Sequence, residues 1–324
     1  KLVLRKNPLY FEKDAQGHQL PYLEAVAITF LPDKQAEFLQ LLQGNIDFIS
    51  GLDTTYKDEL ITPNGELNPK YQTKLKLIKS PYLNTEYLGI FLGRTQAIPK
   101  PIRQAINYGF DRQKMVRYLR NQLAYPAHAG MIPKGLPGHG TTNGYSYQPE
   151  KAKRLLKTYV EETGQALPKI HIGTNGQYLD LCEFIQRELE KIGLEVDIDV
   201  MPPATLRQLK SSGELDVFRA SWIADYPDAE NYLSLFYSAN FTPNGPNYTH
   251  FKNTRFDSLY KLSKQNTSLK TRLMLYQKMD SIVMEESPVV PLYYDIAVRF
   301  VRKNVEGLGI NPQNFLVLKT VRKE

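Results

Sequence analysis

"KIHIGTNGQYLDLCEFIQRELEKIGLEVDIDVMP", residues 169–202, changes its hydrophobic period twice. KIHIGTN alternates apolar and polar positions, as a strand does. DLCEFIQRELEKIG spaces its apolar residues by three and four, as an amphipathic helix does, and stops at Gly193; EVDIDVMP then returns to period two. Strand, helix and strand over so short a stretch predict a crossover unit with parallel strands. The pattern continues on both sides. PEKAKRLLKTYVEETG (149–164) reads as a helix with Pro149 in its first turn, PATLRQLKSSGE (203–214) as a short helix, and DVFRASW (216–222) as a further strand. The fold class is therefore α/β, a βαβαβ succession with a mostly parallel sheet.

Upstream, DKQAEFLQLLQGNIDFISGL (33–52) predicts a helix ending at Gly44 and then a strand. YQTKLKLIKS (71–80) and NTEYLGIFL (84–92) are two strand candidates, and IRQAINYGFDRQKMVRYLR (102–120) predicts a helix with Ile102, Ala105, Ile106 and Phe110 on one face. Residues 125–149 turn to Pro and Gly and read as a long loop of functional or wrapping character. Downstream, 269–287 predicts a last helix and VVPLYYDIAVRFV (289–301) a strand, followed by a basic tail.

A chain of 324 residues exceeds the usual size of one core, so two domains or lobes are expected. The formal charge of +7 does not point to nucleic acid, because the basic residues are scattered and alternate with acids. The 21 tyrosines, against one Trp and one Cys, suit a recognition surface. Cys182 lies on an apolar helical stripe and reads as a buried thiol. No apolar run is long enough to span a bilayer. The five histidines are far apart and never fall at metal spacing, and Gly patterns for phosphate, dinucleotide or a hydrolase serine do not occur. No cofactor and no metal is expected, and binding is favoured over catalysis.

The remaining chemistry sits in SWIADYPDAENYL, 221–233. Asp225, Asp228 and Glu230 could form a general acid/base set or serve as loop caps; for Asp228 and Glu230 capping and solvent are the expectation. Asp225 differs because it ends the strand DVFRASWIAD, and the carboxyl ends of strands are where α/β sheets take ligands. Regular alternation puts Arg219 on the same side as Ser221, Ile223 and Asp225, opposite Phe218 and Trp222.

Five segments in order carry a resemblance: NPLYFEKDAQGHQLPYLEAVAITFL (7–31), LQGNIDF (42–48), IRQAINYGFDRQKMV (102–116), YSYQPEKAKRLL (145–156) and FRASWIADYPDAENYL (218–233). The chain resembles extracellular solute-binding proteins of family 5, the oligopeptide- and dipeptide-binding components of ABC importers. The resemblance implies a periplasmic binding protein-like clamp of the class II, cluster C type, with two lobes and mixed sheets. It also implies that the N-terminal part is missing here, since family members are longer and residue 1 falls inside the first lobe. The implied division is a first-lobe portion at 1–92, a second α/β lobe at 93–296, and a return to the first lobe at 297–324.

By the same resemblance, the Trp-x-x-Asp aspartate that holds a peptide's α-amino group is Asp225, in a buried setting, with Trp222 lining a side-chain pocket. Arg219 matches the arginine that reaches the carboxylate of short peptides. Tyr294 in PLYYDIA matches a tyrosine that meets the peptide backbone, with Tyr293 as second choice. The implied partners are a peptide ligand and permease subunits of the inner membrane, with a monomeric receptor in the periplasm or anchored outside the membrane as a lipoprotein. One departure is Phe91-Leu92 followed by GRTQAIPKP, where the family has Phe-Asn and a Pro-Pro-Phe segment. Rival expectations are a sugar or nickel-complex receptor, a sensor or adhesion module, and a peptide hydrolase on the same clamp.

Overall fold

A computed structural model gives the structure of residues 1–31, 33–53, 55–140 and 144–324. In chain order, strands β1 (Leu2–Arg5) and β2 (Ala25–Ile28) precede helix α1 (Lys34–Gln43), β3 (Phe48–Ser50), α2 (Lys57–Leu60) and β4 (Leu75–Ile90). Helices α3 (Lys100–Gly109) and α4 (Arg112–Arg120), β5 (Ala124–Pro126) and α5 (Pro149–Thr163) follow. Next come β6 (Ile170–Thr174), α6 (Leu179–Glu190), β7 (Val196–Val200), α7 (Pro203–Ser212) and β8 (Val217–Ile223). The chain continues through α8 (Glu230–Leu233), α9 (Thr254–Gln265), α10 (Leu269–Glu286), β9 (Val289–Arg302), β10 (Val305–Glu306) and β11 (Arg322–Lys323).

Two compact units are formed, one from 1–82, 120–123 and 296–324, the other from 83–119 and 124–295. Strands β4 and β9 each carry the chain from one unit to the other. The first division falls at Tyr82 rather than at 92, because Asn84–Ile90 of β4 are paired residue by residue with β8.

In the larger unit the strands follow the order β9-β4-β8-β6-β7, with β5 on β9. The pairs β6–β7 and β6–β8 are parallel, whereas β4–β8 and β5–β9 are antiparallel, so the sheet is mixed. Helices cover both faces. Ile102 and Ile106 of α3, Leu156 of α5, and Cys182, Ile185 and Leu189 of α6 pack with Leu88, Ile172 and Val217. On the other face, Tyr232 and Leu233, Phe256, and Met279 and Val283 pack with Tyr87, Phe218 and Ala220. Each large side chain removed from water in these layers contributes about 1.5–3 kcal/mol. Cys182 is a buried thiol, with burial pushing it up to about 11.

The smaller unit has its own cores, around Phe38, Leu41, Tyr56, Tyr71 and Phe300, and around Val301, Val305 and Val321. Its α1 starts on Asp33, whose carboxylate accepts from the Gln35 and Ala36 amides. No helix among the described residues is long and apolar enough to cross a membrane.

Two elements differ from expectation. The strands expected at 71–80 and 84–92 are one strand, β4, which runs through Pro81. The helix expected over 102–120 is two, because Phe110 is extended at φ −130° and ψ 151° and Asp111 Oδ1 accepts from the Lys114 amide at 3.0 Å, starting α4 afresh.

Candidate functional site

The stretch 218–233 sits at the end of β8 and in the turn that follows. In the antiparallel ladder Leu88 faces Arg219, Glu86 faces Ser221, Thr85 faces Trp222 and Asn84 faces Ile223. Directly opposed residues point to the same side, so Asn84, Glu86, Arg219 and Ser221 share one face of the sheet. Phe218, Ala220 and Trp222 go to the other, against the core of α8, α9 and α10.

The strand stops at Ile223. Ala224 still donates its amide to the Leu83 carbonyl at 2.9 Å, and Asp225 lies just beyond, in the turn. Asp225 is exposed rather than buried, because the chain has left the ladder before reaching it. Its backbone is nevertheless fixed. The Asp225 amide donates to Asn231 Oδ1 at 3.3 Å, and the same oxygen accepts the Trp222 indole N–H at 2.8 Å. The half-buried indole and the Asp225 main chain are thus tied to one buried amide, Asn231.

The neighbouring acids behave differently from each other. Asp228 Oδ1 accepts from the Glu230 amide at 2.9 Å, as a cap does, while Oδ2 holds Arg272 at 2.6 Å. Glu230, expected in solvent, is buried and accepts from the hydroxyls of Tyr226 and Tyr260, with Lys264 at 3.3 Å. Burial, then Glu230, pushes Tyr226 up to about 12. The turn is therefore braced from α8, α9 and α10.

Arg219 was expected, by the resemblance, to reach the carboxylate of a short peptide. It is buried instead and ion-paired to the buried Glu86. The Tyr178 ring covers it, with the guanidinium carbon 3.1 Å from the ring centroid. Burial pulls Arg219 down, but Glu86, with Tyr178 and Tyr293, more than reverses this and holds it charged; burial pushes the Glu86 carboxyl up. Asn84 extends the cluster, donating to Glu86 Oε1 at 3.2 Å and to Asp295 Oδ2 at 3.5 Å.

Tyr294 lies on the opposite face of β9 from Tyr293. Its hydroxyl donates to the Gly130 carbonyl at 2.8 Å and accepts the Gly130 amide at 3.1 Å, and the residue is buried. That hydroxyl is committed to the loop of residues 127–132 and meets no exposed surface. Asp280 of α10 holds the same loop, accepting from the Met131 amide at 3.0 Å; burial pushes it up to about 7 against that bond. In the Pro/Gly segment, His128 is bonded to the Tyr145 carbonyl and His139 to the Ile132 carbonyl, while 141–143 fall outside the described residues.

Sequence reasoning therefore brought Trp222 and Asp225 together but missed Asn231, Glu86, Asn84 and Tyr178. A signal existed for two of them: Asn84 and Glu86 are polar residues two apart, on one face of a strand whose next residues, Tyr87 to Ile90, carry no charge.

Residues 1–244 match the family model described as bacterial extracellular solute-binding proteins, family 5 Middle. A probable di/tripeptide-binding protein 5 of Pseudomonas aeruginosa is 23% identical over 94% of this chain and 56% of its own length. The dipeptide-binding protein DppE of Bacillus subtilis is 23% identical over 99% of this chain and 57% of its own. Among solved structures, the ABC transporter-associated periplasmic binding protein DppA from Helicobacter pylori, in complex with the peptide STSA, superposes with a TM-score of 0.80 at 25% identity, covering 99% of this chain and 60% of that one. The chain thus spans little more than half the length of the relatives it matches.

Proposed function

Because the chain belongs to family 5 of the bacterial extracellular solute-binding proteins, we propose that it is part of a peptide receptor that delivers its ligand to the permease of an ABC importer. The observation that carries this reading is the pairing of an exposed carboxylate, Asp225, with a half-buried indole, Trp222, on one rigid amide at the carboxyl end of β8. A carboxylate fixed at a strand end suits an ammonium group, and the indole beside it suits the adjoining side chain. The similarity to di/tripeptide- and dipeptide-binding proteins, and to a structure solved with a peptide, supports the ligand class.

In this reading Asp225 and Trp222 touch the peptide. Arg219 and Tyr294 act through the framework, the first by fixing β8 to β4 and the second by fixing the loop at Gly130. The receptor does no chemistry on its ligand; it works outside the cytoplasmic membrane as a monomer, free in the periplasm or anchored as a lipoprotein, and closes on ligand contacts that exist only in the closed state.

Calorimetry on the full-length encoded chain with Ala-Ala-Ala and its N-acetylated form tests this. Asp225→Ala lowers affinity for the free-amino peptide by about thirtyfold or more and leaves the acetylated form little changed. Equal losses for both would remove Asp225 from the role.

A further inference from the structure

We infer that Glu86 is a built-in counter-ion that occupies Arg219, so that the ligand site does not select for a free carboxylate. The inference rests on the peptide-receptor reading and specifies which end of the peptide is recognised.

The guanidinium is enclosed, with Nη2 given to Glu86, while Nε has no hydrogen-bond partner among the described residues. Side-chain exposure is 3% for Glu86 and 9% for Arg219, and the two are ion-paired across neighbouring strands. Tyr178 lies over the guanidinium, and Asn84 ties the Glu86 carboxylate to that of Asp295. Two carboxylates are therefore already gathered on the face that holds one guanidinium. A ligand carboxylate brought to Arg219 would shed its water and enter beside two like charges, with only a cation that is already paired to receive it.

Lys210, a cation near enough to act on this spot, does not change the balance. It bears on Arg219 only as a like charge, and its ammonium is spent on aromatic rings, 4.0 Å from the Tyr248 centroid and 5.8 Å from that of Phe218.

Glu86 is thus a specificity-determining residue. With it in place, the substrate class is peptides chosen by their amino end, with a free acid, an amide or a longer chain accepted alike at the carboxyl end. With its charge removed, Arg219 becomes an unneutralised buried cation and a carboxylate site is created.

Calorimetry at pH 7 on the full-length encoded chain, with Ala-Ala-Ala and its C-terminal amide as probes, reads this directly. The native protein binds acid and amide within about threefold of each other, and Glu86→Gln shifts the ratio at least about tenfold toward the acid. The double variant E86Q/R219Q returns the ratio to its native value. A native preference for the acid beyond threefold, or an unchanged ratio in folded E86Q, overturns the inference while leaving the peptide reading intact. Absence of binding of either probe to the native protein overturns the peptide reading and the inference together. Should E86Q fail to fold, the native ratio alone decides.

Discussion

At the scale of single residues, the site depends on which charges are already satisfied. Arg219 is buried and paired with Glu86, whereas Asp225 is exposed, its backbone amide held by Asn231. Asp280 is a third case, a buried carboxylate that accepts main-chain amides and whose burial raises it from 3.8 to about 7. Between those values the folded protein binds the proton and the unfolded chain has lost it, so stability falls as pH rises through pH 4 to 7 and the loss is complete above that. The whole effect is at most about 4 kcal/mol. Urea unfolding from pH 4.5 to 8 should show this decline in the native protein and a flatter profile in Asp280→Asn, which keeps an acceptor for the Met131 amide. An unaltered slope would show that another group sets it. Trp222 and Asp225 were legible because they lie three residues apart in one segment. The Arg219–Glu86 pair was not, because it joins residues far apart in sequence through a strand register that no local pattern states.

At the scale of elements, the segments that hold the site are fixed by side chains from elsewhere. The loop at 127–132 is pinned by the Tyr294 hydroxyl and the Asp280 carboxylate, and its chain passes at Gly130 with φ 151°. A Cβ there would meet Asp280 Oδ2 at 2.2 Å, whereas one at Gly164, which caps α5 at φ 65°, would meet nothing within 4 Å. Gly130→Ala is therefore expected to cost more than about 2 kcal/mol and Gly164→Ala about 1 kcal/mol, read as shifts in urea midpoint. Equal costs would mean that backbone conformation alone governs both. The βαβαβ succession from 149 to 222 was readable because each of its elements has a clean period and a stop signal. The break between α3 and α4 was not, since Phe110 keeps the apolar spacing of a helix while its backbone is extended. Likewise Pro81 looked like a boundary and lies within β4, where flanking residues are only partly buried.

At the scale of the whole molecule, the two units and the two strands that run through both give the chain the family's fold over 99% of its length, as the superposition on the Helicobacter pylori protein shows. Sequence alone reached the family, and through it a peptide as the expected ligand, by five short segments in order; it did not reach the length or sequence of that peptide, because one acid and one indole suit many. The central claim is that the receptor holds peptides by their amino group at Asp225. Native mass spectrometry of the full-length encoded chain incubated with a mixed peptide library tests it most directly. The account predicts retained peptide adducts that disappear in the folded Asp225→Ala variant; adducts that persist unchanged in that variant, or a folded native protein that retains no peptide at all, would contradict it.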